Sequence, residues 1–153
     1  MLEIRATSDR DLDLIKNLYL REVEEHNEHA AEFAEDLICR FKTLLALQNN
    51  ELVGLLSWDT RGGYEDGVIE LVTIGVNESS KRQGIATKLV ESLIDNASEF
   101  YTNKGHKLRV IILFMERQND VAREFYTKLG FSEEAVLRQL YPHDDGVVWT
   151  RHL

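Results

Sequence analysis

Residues 68–115 constrain the fold more than any other stretch. Val68–Val76 is rich in β-branched and apolar residues and reads as a strand. Ile85, Leu89, Leu93, Ala97 and Phe100 then recur at helical spacing, which marks the inward stripe of a helix. The run LRVIILFM at 108–115 reads as a strand covered on both faces. Strand, helix and strand in this order imply a right-handed crossover joining two parallel neighbours. An all-helical or all-antiparallel fold is thereby excluded.

The flanking segments fill in the rest. Leu2–Ala6 alternates as a short strand, and Ser8 with Asp11 forms a capping box ahead of Leu12, Ile15, Leu18, Tyr19 and Val23 at helical spacing. A second helical pattern runs from about His29 to Ala46, with Phe33, Leu37, Phe41 and Leu44 or Leu45 on one face. Residues 45–48 and 51–59 flank Asn49-Asn50, a two-residue hairpin turn, because Asn tolerates positive φ. After the 61–66 loop and the β–α–β unit, Asn119 or Asp120 caps a short helix carrying Ala122, Phe125, Tyr126 and Leu129. Gly130 ends that helix, and strands near 131–139 and 147–151 follow. The expected order is β-α-α-β-β-β-α-β-α-β-β. The fold class is α/β, with a central mixed sheet whose first strands form an antiparallel meander. With 153 residues, one Pro and no repeat or linker, the chain reads as one domain over 1–153.

Charge and cysteine content narrow the partners. Eighteen Lys and Arg against 27 Asp and Glu give a net charge of −9, which repels a nucleic-acid backbone. The longest apolar run is too short to span a bilayer, and the N-terminus lacks the pattern of a signal peptide, so no membrane partner is expected. The single cysteine, Cys39, reads as a small core residue on a helix, and its solitude fits a reducing, cytoplasmic setting. No metal is expected: the five His are dispersed, and His26 and His29, at an acidic helix end, read as solvated.

Chemistry concentrates at ELVTIGVNESSKRQGIATK, residues 70–88. Gly84 and Ala86 leave backbone N–H groups uncovered at a helix start, where the helix dipole favours an anion. Lys81, Arg82 and Lys88 add positive charge in an otherwise acidic chain. The pattern is neither G-x-x-x-x-G-K-[ST] nor G-x-G-x-x-G. An ordinary solvated helix start has the same spacing, but the local inversion of charge points to a pyrophosphate-bearing cofactor.

The run K-R-Q-G-I-A resembles the R/Q-x-x-G-x-G/A signature of the GNAT superfamily of N-acetyltransferases. NDVAREFYTKLGF, at 119–131, is similar to that family's N-x-x-A-x-x-x-Y-x-x-x-G-F block, and IRATSDRDL to its N-termini. The resemblance covers nearly the whole chain, with two departures: Lys81 where Arg or Gln is usual, and Ala86 for the commoner Gly. It implies acetyl-CoA as co-substrate and a mostly antiparallel mixed sheet splayed between the fourth and fifth strands. Ile74 and Val76 would pair through their backbone with the pantetheine arm. Lys81, Arg82, Gln83, Gly84, Ile85, Ala86 and Thr87 would cradle the pyrophosphate. Asn119 would contact the cofactor through its side chain, and Tyr126 would meet the thioester sulfur. Pairing of two copies through the C-terminal strands is open.

Direct acetyl transfer to an amine needs no enzyme nucleophile. It needs the amine deprotonated, and an amine of pKa about 10.4 is neutral in only about one molecule in 2,500 at pH 7. It also needs a donor for the oxyanion, for which a backbone N–H near Thr73–Ile74 serves, and a proton or hydrogen bond for the leaving thiolate. Tyr126 fits the last role. Glu70 is the candidate base, since strand alternation puts it on the face of Ile74; a solvated strand-end carboxylate is the plainer alternative. Glu116, His106 and His143 are rivals. Glu22–Asp36 holds seven acidic residues and no Lys or Arg; a solvated helix face is the plainer reading, and the functional one is a cationic acceptor, a small amine such as a polyamine or an aminoglycoside-like amine, or a basic peptide. A protein N-terminus, as in ribosomal-protein alanine acetyltransferases, and a non-catalytic acyl-CoA sensor are the alternatives.

Overall fold

A computed structural model describes residues 1–153. Its elements are β1 (Leu2–Ala6), α1 (Leu12–Glu22), α2 (Asn27–Glu35), β2 (Lys42–Gln48), β3 (Glu51–Arg61), β4 (Val68–Val76), α3 (Ile85–Asn103), β5 (Val110–Glu116), α4 (Asp120–Lys128), β6 (Ser132–Tyr141) and β7 (Asp144–His152). The strands form one mixed sheet in the order β1-β2-β3-β4-β5-β7-β6. The crossover pair β4 and β5 is parallel, in register from Val68–Val110 to Glu70–Ile112, whereas β1–β2, β2–β3, β5–β7 and β6–β7 are antiparallel. The expected class and element order are those observed. By packing, the chain divides into two compact units of two segments each: Met1–Asp59 with Val72–Asn96, and Thr60–Leu71 with Ala97–Leu153.

In the first unit, Ile15, Leu18, Ala34, Leu37, Leu45, Leu47, Leu52 and Leu55 form a continuous apolar core. The Ser8–Asp11 capping box is present, and Asp11 also takes two bonds from the Arg5 guanidinium, each of 2.9 Å. Asn49 and Asn50 both adopt positive φ (54° and 65°), as a tight turn between β2 and β3 demands. The second helix is shorter than its sequence pattern. It stops at Glu35, a π-helical turn covers Asp36–Arg40, and Lys42–Gln48 is strand. Every residue from Thr43 to Leu47 is buried, so the run matches helical and strand spacing alike; pairing with β1 on one side and β3 on the other decides for strand. Cys39 lies in the π-helical turn and is exposed, which corrects its expected place in the core.

One irregularity in this unit positions the site. In β3 the register slips, so that Ala46 faces Gly54 while Leu47 faces Leu52, which leaves Val53 as a bulge. Asn77, just past β4, binds both bulge carbonyls: its N–H donates to Val53 at 2.8 Å and its Nδ2 to Leu52 at 3.0 Å. A Cβ on Gly54 would sit 3.0 Å from the Gly75 carbonyl, so the bare backbone there lets β4 lie close.

In the second unit, Tyr101 is fully buried and its hydroxyl donates to the Val68 carbonyl at 3.0 Å. Ile111, Leu113 and Met115 of β5 are buried, as are Val147 and Trp149 of β7. The other face of β5 is not closed, contrary to the expectation from its apolar sequence: Phe114 is 39% exposed and Ile112 half-buried. The edge strand β6 is exposed along nearly its whole length.

Candidate active site

The expected site residues fall into two groups, one in each unit. In the first unit, β4 carries Ile74 and Val76, both half-buried and flanking the exposed Gly75. Beyond Asn77 the chain makes a single 3₁₀ turn, Glu78–Ser80, and reaches α3 through Lys81–Gly84. Arg82 and Gly84 both take left-handed φ, 68° and 76°. For Arg82 this conformation costs about 1–2 kcal/mol and for Gly84 almost nothing. Alternation of this kind turns successive N–H groups toward one side, an anion-binding concavity.

The start of α3 completes this cradle. The first intrahelical-type bond runs from Lys88 N–H to the Gly84 carbonyl at 3.1 Å, leaving the N–H groups of Ile85, Ala86 and Thr87 without a protein acceptor. A Cβ on Gly84 would meet nothing within 4 Å, so the backbone just before those donors faces open space. Arg82, Gln83, Thr87 and Lys88 are exposed around it, and Ile85 points into the core at 3% exposure. Lys81 is partly committed, since its Nζ pairs with Glu78 at 2.9 Å and holds the Glu78 carboxyl below its usual range. This donor set fits a pyrophosphate, with Arg82 and Lys88 as its counter-charges.

The second group contains the proton-transfer candidates. Glu70 is not the freely solvated carboxylate of the plainer reading. Its side chain is 17% exposed, and one oxygen, Oε1, takes both Nε and Nη2 of Arg61 at 2.9 and 2.8 Å. Tyr126, on α4, packs edge-on against Phe125 and Phe131 at 5.2 and 5.9 Å between ring centres. Burial, and then the nearby Tyr141, push its phenol above the ordinary tyrosine range. Tyr141 is itself raised, by burial and then by the charges of Glu116 and Glu70. The charges of Glu116 and Glu70 thus act on Tyr141, and Tyr141 in turn acts on Tyr126. His143 lies beside Glu116, Nε2 to Oε1 3.1 Å, and stacks on Tyr141. His106 stands apart on an exposed loop.

Asn119 has a defined local role as well. Its Oδ1 accepts the Ala122 N–H at 3.0 Å and caps α4, so only the amide Nδ2 is left for a ligand. Next to it lies an open polar hollow of about 450 Å³, lined by Arg117, Gln118, Asp120, Arg123, Asp144 and Asp145. Its charges are largely matched internally, as Arg117 with Asp145 at 3.4 Å, and no expected site residue is among those that line it.

Sequence reasoning passed over Asn77, Arg61 and Tyr141. Asn77 is 5% exposed and fixes the entry to the cradle. Its signal was faint, a lone Asn where a β-branched run ends. Arg61 and Tyr141 left none, because their relevance depends on which strand lies beside which.

Comparison with known proteins agrees with this geometry. The family model described as the acetyltransferase (GNAT) family matches residues 12–131. No curated protein matches the sequence. Among solved structures, a GNAT-family protein from Desulfovibrio desulfuricans is similar at a TM-score of 0.79 with 20% identity, over 99% of each chain. The ribosomal-protein-S18-alanine N-acetyltransferase of Escherichia coli is similar at 0.75 with 22% identity, over 99% of this chain and 94% of that one. A Bacillus subtilis acetyltransferase in complex with CoA is similar at 0.70 with 20% identity, over 100% and 99%. The match over 12–131 and a fold shared along the full length identify the chain as a member of the GNAT family, the acetyl-CoA-dependent N-acetyltransferases.

Proposed function

We propose that the chain transfers an acetyl group from acetyl-CoA directly to the primary amine of a small, cationic, polyamine-like acceptor in a ternary complex. The reading treats residues 1–153 as one catalytic domain acting in the cytoplasm. The observation that carries it is the start of α3, where three N–H groups without acceptors stand beside two exposed cations and the open backbone of Gly84. Acetyl-CoA brings the activated acyl group; the protein has to hold it, guide the amine and move protons.

The surroundings of each residue support the role proposed for it. Ile74 and Val76 offer backbone groups beside the exposed Gly75 to the pantetheine arm. Lys81 through Thr87 hold the pyrophosphate, with Lys81 the weakest contributor because Glu78 competes for it. Asn119 contributes its Nδ2. Tyr126 protonates the leaving thiolate, supported by a raised pKa that keeps its proton in place at neutral pH. Glu70 is the base, acting through Oε2, since Arg61 occupies Oε1. The acidic stretch 22–36 attracts the cationic acceptor.

A panel assay tests this. CoA release from acetyl-CoA should depend on a polyamine and be weak with an alanine-terminated peptide. The reverse order would favour the second reading, a protein N-terminal acetyltransferase, which is what the similar E. coli structure is named for. Binding of CoA without release on any amine or peptide would mean an acyl-CoA sensor.

A further inference from the structure

The turn between α1 and α2, inside the acidic stretch proposed to attract the acceptor, carries a cluster with no part in cofactor binding or proton transfer. Glu24, His26 and His29 each present a donor atom, and the three atoms lie within 4.8 Å of one another. We propose that they bind one divalent transition-metal ion of the zinc class, which clips this turn to the first turn of α2.

The backbone beneath the cluster is fixed. The His26 N–H donates to the Glu24 carbonyl at 3.0 Å, Ala30 to His26 at 2.9 Å, and both Val23 and Glu24 to Tyr19 at 2.9 and 3.3 Å. The side chains are also arranged. Tyr19 donates its hydroxyl to Glu24 Oε2 at 3.0 Å, and His29 Nδ1 lies 2.9 Å from Oε1. Oε1 and Nδ1 therefore already stand near the spacing of two ligand atoms on one ion. The rings of His26 and His29 stack with centres 3.6 Å apart, so one ring has to turn for both to ligate one ion.

Distance and charge agree with an ion. Zinc bonds of about 2.0–2.1 Å put tetrahedral ligand atoms roughly 3.4 Å apart. The present limit of 4.8 Å closes by small rotations of exposed side chains, with water completing the shell. Seven acidic residues and no Lys or Arg between 22 and 36 raise the local cation concentration. Two imidazoles select zinc-class ions over Mg²⁺ or Ca²⁺, which prefer oxygen. One contact opposes binding: His26 Nδ1 accepts the His29 N–H at 3.1 Å and so caps α2. Ligation by His26 gives up that cap, which keeps the affinity in the micromolar class rather than the tighter range of closed structural sites.

Calorimetric titration of the full chain with ZnCl₂, on a Cys39→Ser background to silence the free thiol, tests the site. One ion per chain is expected, weakened about tenfold or more by His26→Gln or His29→Gln, with MgCl₂ inert at the same concentration. Equal zinc uptake by the His26→Gln/His29→Gln double variant, or none by the parent chain, would overturn the proposal. Neither result bears on the cofactor cradle or the proton-transfer groups, because none of these side chains belongs to them, and CoA release measured without zinc tests those separately.

Discussion

A phenol donates a proton only while it keeps one, and at Tyr126 burial against Phe125 and Phe131 secures that. Its shift is upward, so the donor form persists to above pH 10. The pH–kcat profile should therefore rise as the acceptor amine deprotonates and show no alkaline fall below about pH 10. Tyr126→Phe should lower kcat by about 10²-fold or more while KM for acetyl-CoA stays nearly constant, measured by steady-state CoA release. Asp11 gives a stability counterpart. Its carboxylate is almost buried, takes two bonds from Arg5 and one of 2.7 Å from the Ser8 N–H, and is held below the ordinary range chiefly by Arg5. A lowered folded-state pKa means that this stabilisation is present above the unfolded value of about 3.9 and is lost as pH falls through the folded value. Asp11→Asn should cost about 2 kcal/mol at pH 7 and much less below pH 3, measured by urea unfolding at both pH values.

At the scale of elements, the informative unit is strand, cradle and helix. The backbone of β4 is drawn against β3 at Gly54, Asn77 locks the exit, and Arg82 and Gly84 turn the chain into α3. Gly84→Ala adds no clash, yet forces an alanine into left-handed φ at 76°. It should cost about 1 kcal/mol of stability and raise KM for acetyl-CoA with little change in kcat, as seen by thermal unfolding and kinetics together. The cradle was legible because Gly, small residues and cations at a helix start have a local meaning. The end of α2 was not. From Phe41 to Leu47 the apolar residues satisfy both periods, and the choice rests on partners from β1 and β3 that are remote in sequence. Cys39 was misplaced because cysteine as a residue type favours burial, whereas this one lies two residues past Leu37, off the apolar stripe, in an exposed π-helical turn.

For the molecule as a whole, the net charge of −9 is distributed unevenly. Arg82 and Lys88 stand exposed at the α3 start, and the 22–36 stretch is purely acidic. If that stretch attracts a cationic acceptor, Glu25→Lys/Glu28→Lys should raise KM for a polyamine severalfold at low salt. The difference should shrink once the ionic strength reaches about 0.15 M, where the Debye length is about 8 Å. An unchanged KM at low salt would rule out this source of selectivity. The pair leaves acetyl-CoA binding as a control, since both side chains are exposed and far in sequence from the cradle.

Class, element order, the crossover, the Asn-Asn turn, the capping box and the cradle were determined by the sequence itself, because each depends on residues a few positions apart. Helical or strand period, the φ a residue tolerates and the charge beside a helix start are local properties. Only the tertiary structure decided what depends on neighbours distant in the chain. It made Thr43–Leu47 a strand between two partners, tied Glu70 to Arg61, brought Tyr141 near Tyr126 and Glu116, and left one face of β5 open at Phe114. Burial and pairing are sums over the whole packed molecule. No short window of sequence contains them, so the helix start after Gly84 was readable in advance and the company of the acids and bases was not.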